Sequence, residues 1–175
     1  MLPGKYGQLV KDGKVWGVAN QAAVAITAAL ATAYTGLVIG NKLTSKCDLV
    51  LLQCGYSSTI AVPTATALGL MQGTASADVA NALTFYNRYT REVSTNGIIA
   101  WAEDSCTLPG TPVLEETFAT GWTQATTAGT LSQPNTIDLD GRYVLKPGQF
   151  LAFYSEAANT AAFLLSFLFA VEPWH

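Results

Sequence analysis

Phe163-Leu164-Leu165-Ser166-Phe167-Leu168-Phe169-Ala170-Val171 is the stretch whose reading decides the fold. At a period of two, Phe163, Leu165, Phe167, Phe169 and Val171 share one face, and Leu164, Ser166, Leu168 and Ala170 share the other. The first face is bulky throughout and the second is mixed. The block is apolar all round, so no amphipathic helical stripe explains it, and it is too short to cross a bilayer as a helix. The pattern predicts a central strand, packed on one side by the domain core and on the other by a further layer of protein. Phe150 to Tyr154 reads as a short strand and Ser155 to Thr160 as a turn, so these two strands are expected to pair as antiparallel neighbours.

Upstream, Ile137-Asp138-Leu139 and Tyr143-Val144-Leu145 flank Asp140-Gly141, a tight-turn pair. Lys146-Pro147-Gly148-Gln149 has the type II signature, because Pro presets φ and Gly accepts φ > 0. Val15 to Val18, Leu37 to Ile39, Asp48 to Ile60, Ile98 to Ala102 and Val113 to Trp122 also read as strands, with extended chain from Pro63 to Met71. In Asp48 to Ile60 both faces are apolar, which predicts cover on both sides. Gln21 to Tyr34 is ambiguous. Its alanines and Ile26 fit a helical stripe, yet its threonines favour extended chain, and a mixture of loop and strand is the reading adopted. Ala77 to Leu83 suggests a short helix, near residues 76–84, within a long excursion between strands. Thr123 to Asn135 reads as a loop. The expected fold is therefore all-β: a two-sheet antiparallel sandwich with jelly-roll topology, in one domain over residues 15–175, preceded by an N-terminal arm over residues 1–14 that is rich in Gly and Pro.

Composition bounds the function. Charged residues are 12% of the 175, against about 25% in an average soluble protein. A chain of 18.5 kDa should expose roughly 8,000 Å² when folded alone. So sparse a charge over that area predicts an oligomer. The formal net charge is -3 and no Lys/Arg cluster occurs, which argues against nucleic acid as a partner. Phe85-Tyr86-Asn87-Arg88-Tyr89-Thr90-Arg91 interleaves aromatics with two arginines, but it reads better as a loop or subunit contact than as a nucleic-acid groove. Val15 to Asn41 carries no charge, yet Asn20, Gln21, Thr27, Thr32, Thr35, Gly36 and Gly40 dilute it, so no membrane span is expected. The first residues lack the apolar core of a signal peptide. Cys47, Cys54 and Cys106 make an odd number with no metal-ligand spacing, and all three are read as reduced thiols of a cytosol-like compartment.

Catalytic patterns are missing from the sequence. A nucleophilic triad needs a histidine, and the one histidine is His175, the last residue. Glu103-Asp104 and Glu115-Glu116 are adjacent pairs, which on strands point to opposite faces and do not converge on one substrate. Gly69-Leu70-Met71-Gln72-Gly73 has no Lys-Ser/Thr after it, as a phosphate loop would. Asp138, Asp140 and Gly141 are only a fragment of a calcium loop. No enzyme, cofactor or metal site is expected.

Several pieces carry a resemblance: Val15 to Ala22, Tyr34 to Val38, Leu49 to Gly55, Gly69 to Gly73, Leu108-Pro109-Gly110-Thr111-Pro112-Val113-Leu114, and Asp138 to Gly141 through Pro147-Gly148. In that order they resemble tailed-bacteriophage virion proteins of the decoration, or cement, type. Asp138 to Val171 is also similar to the final hairpins of trimeric jelly rolls of the tumour-necrosis-factor type. Ala75 to Asn96 departs from the pattern. The resemblance implies a non-enzymatic homotrimer on the outer surface of an assembled virion capsid, with the major capsid protein as partner, folded beforehand in the host cytoplasm. Phe163, Leu165, Phe167 and Phe169 are then expected to line the subunit interface, although the same side chains read equally well as domain core. Leu2, Tyr6 and Leu9 of the arm are expected to contact the capsid. The alternative is a trimeric receptor-binding tip of a tail fibre or spike, using loop aromatics such as Tyr86, Tyr89 and Trp122 to stack on sugar rings.

Overall fold

The fold is an all-β sandwich of two antiparallel sheets. In this computed structural model, residues 4–58, 66–80, 82–94, 99–122, 135–157 and 163–173 are described. The strands are β1 (Val15–Ala19), β2 (Ala33–Asn41), β3 (Cys47–Ser58), β4 (Thr66–Thr74), β5 (Phe85–Asn87), β6 (Val93–Ser94), β7 (Ala100–Thr107), β8 (Val113–Trp122), β9 (Asn135–Leu145), β10 (Gln149–Ser155) and β11 (Phe163–Pro173). One sheet has the order β6-β5-β1-β11-β3-β9 and the other β7-β2-β10-β4-β8. β1, β3, β9 and β11 thus face β2, β4, β8 and β10; along the chain these strands alternate between the sheets except at β4 and β8, which are neighbours in one sheet, and this is the jelly-roll pattern. The segment between β4 and β8 adds β5 and β6 beyond β1, and β7 beyond β2.

The decisive stretch is the spine of the six-stranded sheet. β11 pairs along its length with β3 and over five residues with β1. Phe163, Leu165, Phe167 and Phe169 point between the sheets and are at most 2% exposed. Phe153 of the opposite sheet meets Phe167 at 4.9 Å between ring centroids, and Phe85 meets Phe169 edge-on at 5.8 Å. Asn20 fixes the register where β1 ends. Its amide donates to the carbonyls of Ala22 and Phe163, and its oxygen accepts the Leu165 N–H. One expectation fails here. β10 does not pair with β11; it lies in the other sheet between β2 and β4. Both strands carry a bulky inward face, and opposing those faces across the sandwich buries more apolar area than laying the strands side by side.

Two further expectations are corrected. Asp140 and Gly141 do have positive φ, 52° and 75°, as the turn pair requires, but they form a bulge inside one continuous β9. Across it the pairing with β3 jumps from Leu51↔Tyr143 to Gln53↔Asp138. The short helix near residues 76–84 is absent among the described residues there. Its backbone donors are claimed from outside: Ala75 N–H by Gly148 O, Ser76 N–H by Pro109 O and Leu83 N–H by Ala102 O. Of these, the Leu83 amide is one that a helix over 76–84 would have paired at i→i−4, and it goes to a distant strand instead. The type II turn is present, with Gln149 N–H donating to Lys146 O at 3.0 Å and Gly148 at φ 77°. Gln21 to Tyr34 is a mixture of loop and bridge contacts, Val24 with Phe163 and Ala28 with Ser155, leading into β2.

The arm holds the one helix among the described residues, α1 (Gly7–Lys11). It lies on the outer face of the six-stranded sheet, where Tyr6, Leu9 and Val10 pack on Val15, Leu52 and Ala170. The apolar second faces of β3 and β11 are therefore covered, in part, by the chain's own N-terminal segment. On the outer face of the five-stranded sheet a second cluster forms from Tyr34, Val38, Met71, Trp101, Leu108, Phe150 and Ala152.

Candidate functional site

The outer face of the six-stranded sheet carries the concave surface. Its register aligns Tyr86, Gly17, Leu168, Gln53 and Asp138 in one row across the strands, and Ala19, Ser166, Gly55 and Thr136 in the next. Short side chains in the second row leave a floor. α1 rises at one end of it through Val10. The result is a hollow of about 380 Å³ walled by Val10, Val15, Leu168 and Arg88 over Gln53, Gly55, Thr136 and Ser166. A second hollow of about 200 Å³ lies on the other side of Arg88, lined by Gly17, Ala19, Gln21, Tyr86, Arg88 and Arg91.

Arg88 divides the two hollows because residue 17 is glycine. A Cβ built on Gly17 would lie 2.7 Å from Arg88 Nε and 2.8 Å from its Cζ, so the guanidinium lies directly on the β1 backbone. Asn87 builds the turn that brings it there. The Asn87 side-chain oxygen accepts the N–H groups of Tyr89 and Thr90, an Asx-turn, and its amide nitrogen donates to Gly13 O at 2.6 Å. Arg88 N–H donates to Val15 O and Arg91 N–H to Asn87 O. Arg91 adopts φ 62°, in the left-handed region, to close the turn. The ion pairs among the described residues use Lys5, Lys14 and Arg142, and neither Arg88 nor Arg91 has a carboxylate partner among them.

A latch holds the arm beside this face. Lys5 Nζ sits 2.7 Å from Asp138 and 2.9 Å from Asp140, and the Tyr6 hydroxyl donates to Asp138 and to Leu52 O. The Lys5 hydrogen bond, chiefly, draws the Asp138 carboxyl below its ordinary value. The calcium-loop fragment is thus occupied by a lysine. Among the described residues no group of three or more His, Cys, Asp or Glu could hold a metal ion.

The expected site residues fall as follows. Phe163, Leu165, Phe167 and Phe169 are at most 2% exposed in the core of a single chain, the second of the two places in which the sequence puts them. Tyr6 and Leu9 are half-buried against the chain's own sheet. Leu2 and His175 lie outside the described residues. Tyr86 and Tyr89 are exposed, at 36% and 59%. Glu115 is exposed, while Glu116 turns towards Arg142 at 3.0 Å and accepts the Tyr143 hydroxyl at 2.9 Å. This triplet ties β8 to β9 where the two sheets end. Glu103 is buried, which raises its carboxyl above the ordinary value. Cys47, Cys54 and Cys106 are free thiols. Burial pushes Cys54 up to about 12 and Cys106 up to about 11, so neither is a thiolate nucleophile at neutral pH. Reading by residue type overlooked the supports of these sites, Asn20, Asn87 and Arg142; of these only Asn87, within an aromatic and arginine run, carries a local turn signal.

No helix among the described residues is long and apolar enough to cross a membrane. Comparison with protein-family models, with curated proteins and with solved structures returned no match.

Proposed function

We propose that this chain is a non-enzymatic structural protein of a tailed-phage virion, a homotrimeric decoration or cement protein that binds the major capsid protein on the outer surface of the assembled shell. The observation that carries this reading is the strand order, β1-β11-β3-β9 against β2-β10-β4-β8, because a jelly roll is the architecture that the sequence resemblance implies. The low charge, 12% of residues, supports burial against other protein. With the phenylalanine face of β11 committed to the core, the subunit contact moves to apolar surface that is still open. β8 is the outermost strand of its sheet and exposes Val113 and Leu114 at 60% and 39%. Such an edge is a template for association. A trimer that fits only the closed, expanded lattice would stabilise that lattice by mass action, with avidity from three linked contacts.

The test is the mass of the purified protein in solution, followed by co-sedimentation with emptied capsid shells and, separately, with host cells. A trimer that sediments with shells and raises their melting temperature is the expected result. A soluble monomer at high concentration, or a protein that leaves shells in the supernatant, overturns the reading. Binding to cells and not to shells makes the chain a receptor-binding tip instead.

A further inference from the structure

We propose that the two hollows on either side of Arg88 form a binding site for a carboxylated saccharide. This inference does not depend on the capsid reading. It rests on what the site offers and on what it withholds. It offers two guanidinium groups, Arg88 and Arg91, on one hollow of about 200 Å³ in a chain whose net charge is -3. Neither is neutralised by a carboxylate among the described residues. Planar N–H forks of this kind match a carboxylate in bidentate fashion.

The site withholds its backbone. Every amide of the turn is already spent: Arg88 on Val15 O, Tyr89 and Thr90 on the Asn87 side chain, Arg91 on Asn87 O, and Glu92 on Thr90 Oγ1. A phosphate is commonly cradled by a nest of free N–H groups, and no such nest is left here. The anion must be held by the arginine side chains, whose mounting is rigid because those amides are spent.

The rest of the surface suits a sugar ring. Gly17 and Ala19 make a low floor, and Tyr86 stands beside it as an exposed aromatic wall. Gln21 anchors its amide nitrogen on Ala19 O at 3.0 Å. Across Arg88 the larger hollow continues with Gln53, Thr136 and Ser166, a set of amide and hydroxyl groups able to donate to and accept from ring hydroxyls. One charged anchor between the two hollows, the larger with apolar walls over a floor that carries amide and hydroxyl groups, fits an acidic residue followed by a further sugar unit. An acidic peptide lacks the hydroxyls that the larger hollow would pair.

The experiment titrates the full chain with a galacturonate trisaccharide, followed by NMR or calorimetry, in parallel with neutral galactose trisaccharide, inorganic phosphate and a glutamate tripeptide. Saturable binding of the galacturonate alone is expected, weakened about tenfold or more by Arg88→Gln and by Arg91→Gln, since a hydrogen bond to a charged group is lost in each. Both side chains are exposed, so the variants should melt as the parent does. Gly17→Ala keeps both arginines but displaces the Arg88 guanidinium, and should weaken binding with the charge unchanged. Absence of saturable binding, equal binding of the neutral sugar, or binding indifferent to Arg88→Gln overturns the proposal. Phosphate or glutamate peptide binding as tightly as the galacturonate overturns the assignment to a saccharide.

Discussion

On the outer face of the five-stranded sheet, Val38, Met71, Trp101, Phe150 and Ala152 are fully buried in a second core. On the outer face of the six-stranded sheet, cover is confined to the patch under α1, and beyond it the strands present Gly17, Ala19, Gly55, Ser166 and Thr136 to an open hollow. The two faces belong to the same kind of sheet and differ in side-chain size. Large outward side chains on β2, β4 and β10, among them Val38, Met71 and Phe150, are covered by Ala75, Trp101 and Leu108 of the excursion between β4 and β8. The Trp101 indole is packed so closely on β2 that a Cβ at Gly40 would clash with its ring. Beyond that patch the small outward side chains on β1, β3 and β11 give no such area to bury, and among the described residues it is the Arg88 guanidinium that lies there.

Substitutions can break this contrast, and the largest effect should come from the interior that both faces share. Phe167→Asp places a carboxylate between the sheets against Phe153 and should abolish folding, seen as loss of the β signal in circular dichroism. A folded Phe167→Asp protein would mean that the sheets are not packed through this face. Next, Trp101→Ala should cost about 3–5 kcal/mol in chemical denaturation, the range of a buried tryptophan, although the residue lies outside the sandwich proper. Leu9→Ala, under the partial cover of α1, should cost about 1 kcal/mol. If these two costs came out equal, the asymmetry between the faces would be wrong. Smallest of all, Arg88→Gln should change stability by less than about 0.5 kcal/mol, because the side chain is exposed and has no ion-pair partner among the described residues.

The latch sharpens the comparison through pH. The folded Asp138 pKa lies below its unfolded value, so the contribution of the Lys5 contact is complete above the unfolded pKa of about 3.9 and is lost as pH falls through the lower folded value. Tryptic cleavage cannot be followed at that acidity, but amide exchange over residues 7–11 can: protection should fall as Asp138 titrates. Asp138→Asn should flatten that dependence, while the lid over Trp101 remains protected in both proteins.

Much of the fold was legible along the chain. Period-two alternation located β11, β3 and β8, and Pro147-Gly148 located the turn before β10. The errors share a cause. Asp140-Gly141 specifies two positive φ values, and a hairpin turn and a bulge satisfy that requirement equally. Ala77 to Leu83 has helical composition, but the distant Ala102 carbonyl takes the Leu83 amide, and a local reading does not see it. The arginine and tyrosine run was noticed, yet its concave setting depends on Gly17, some seventy positions away.

By itself the sequence determined that residues 163–171 are pleated and apolar on both flanks, whereas the expected cover is complete on the inner flank and only partial on the outer, where Leu164 is exposed and Ser166 lines a hollow. Which protein does the covering was decided by the tertiary structure: a facing sheet on one flank, and on the other the chain's own arm for part of the length. The reason is that period two records how a side chain points and how large it is, whereas the identity of its neighbour depends on which distant segments close over the strand.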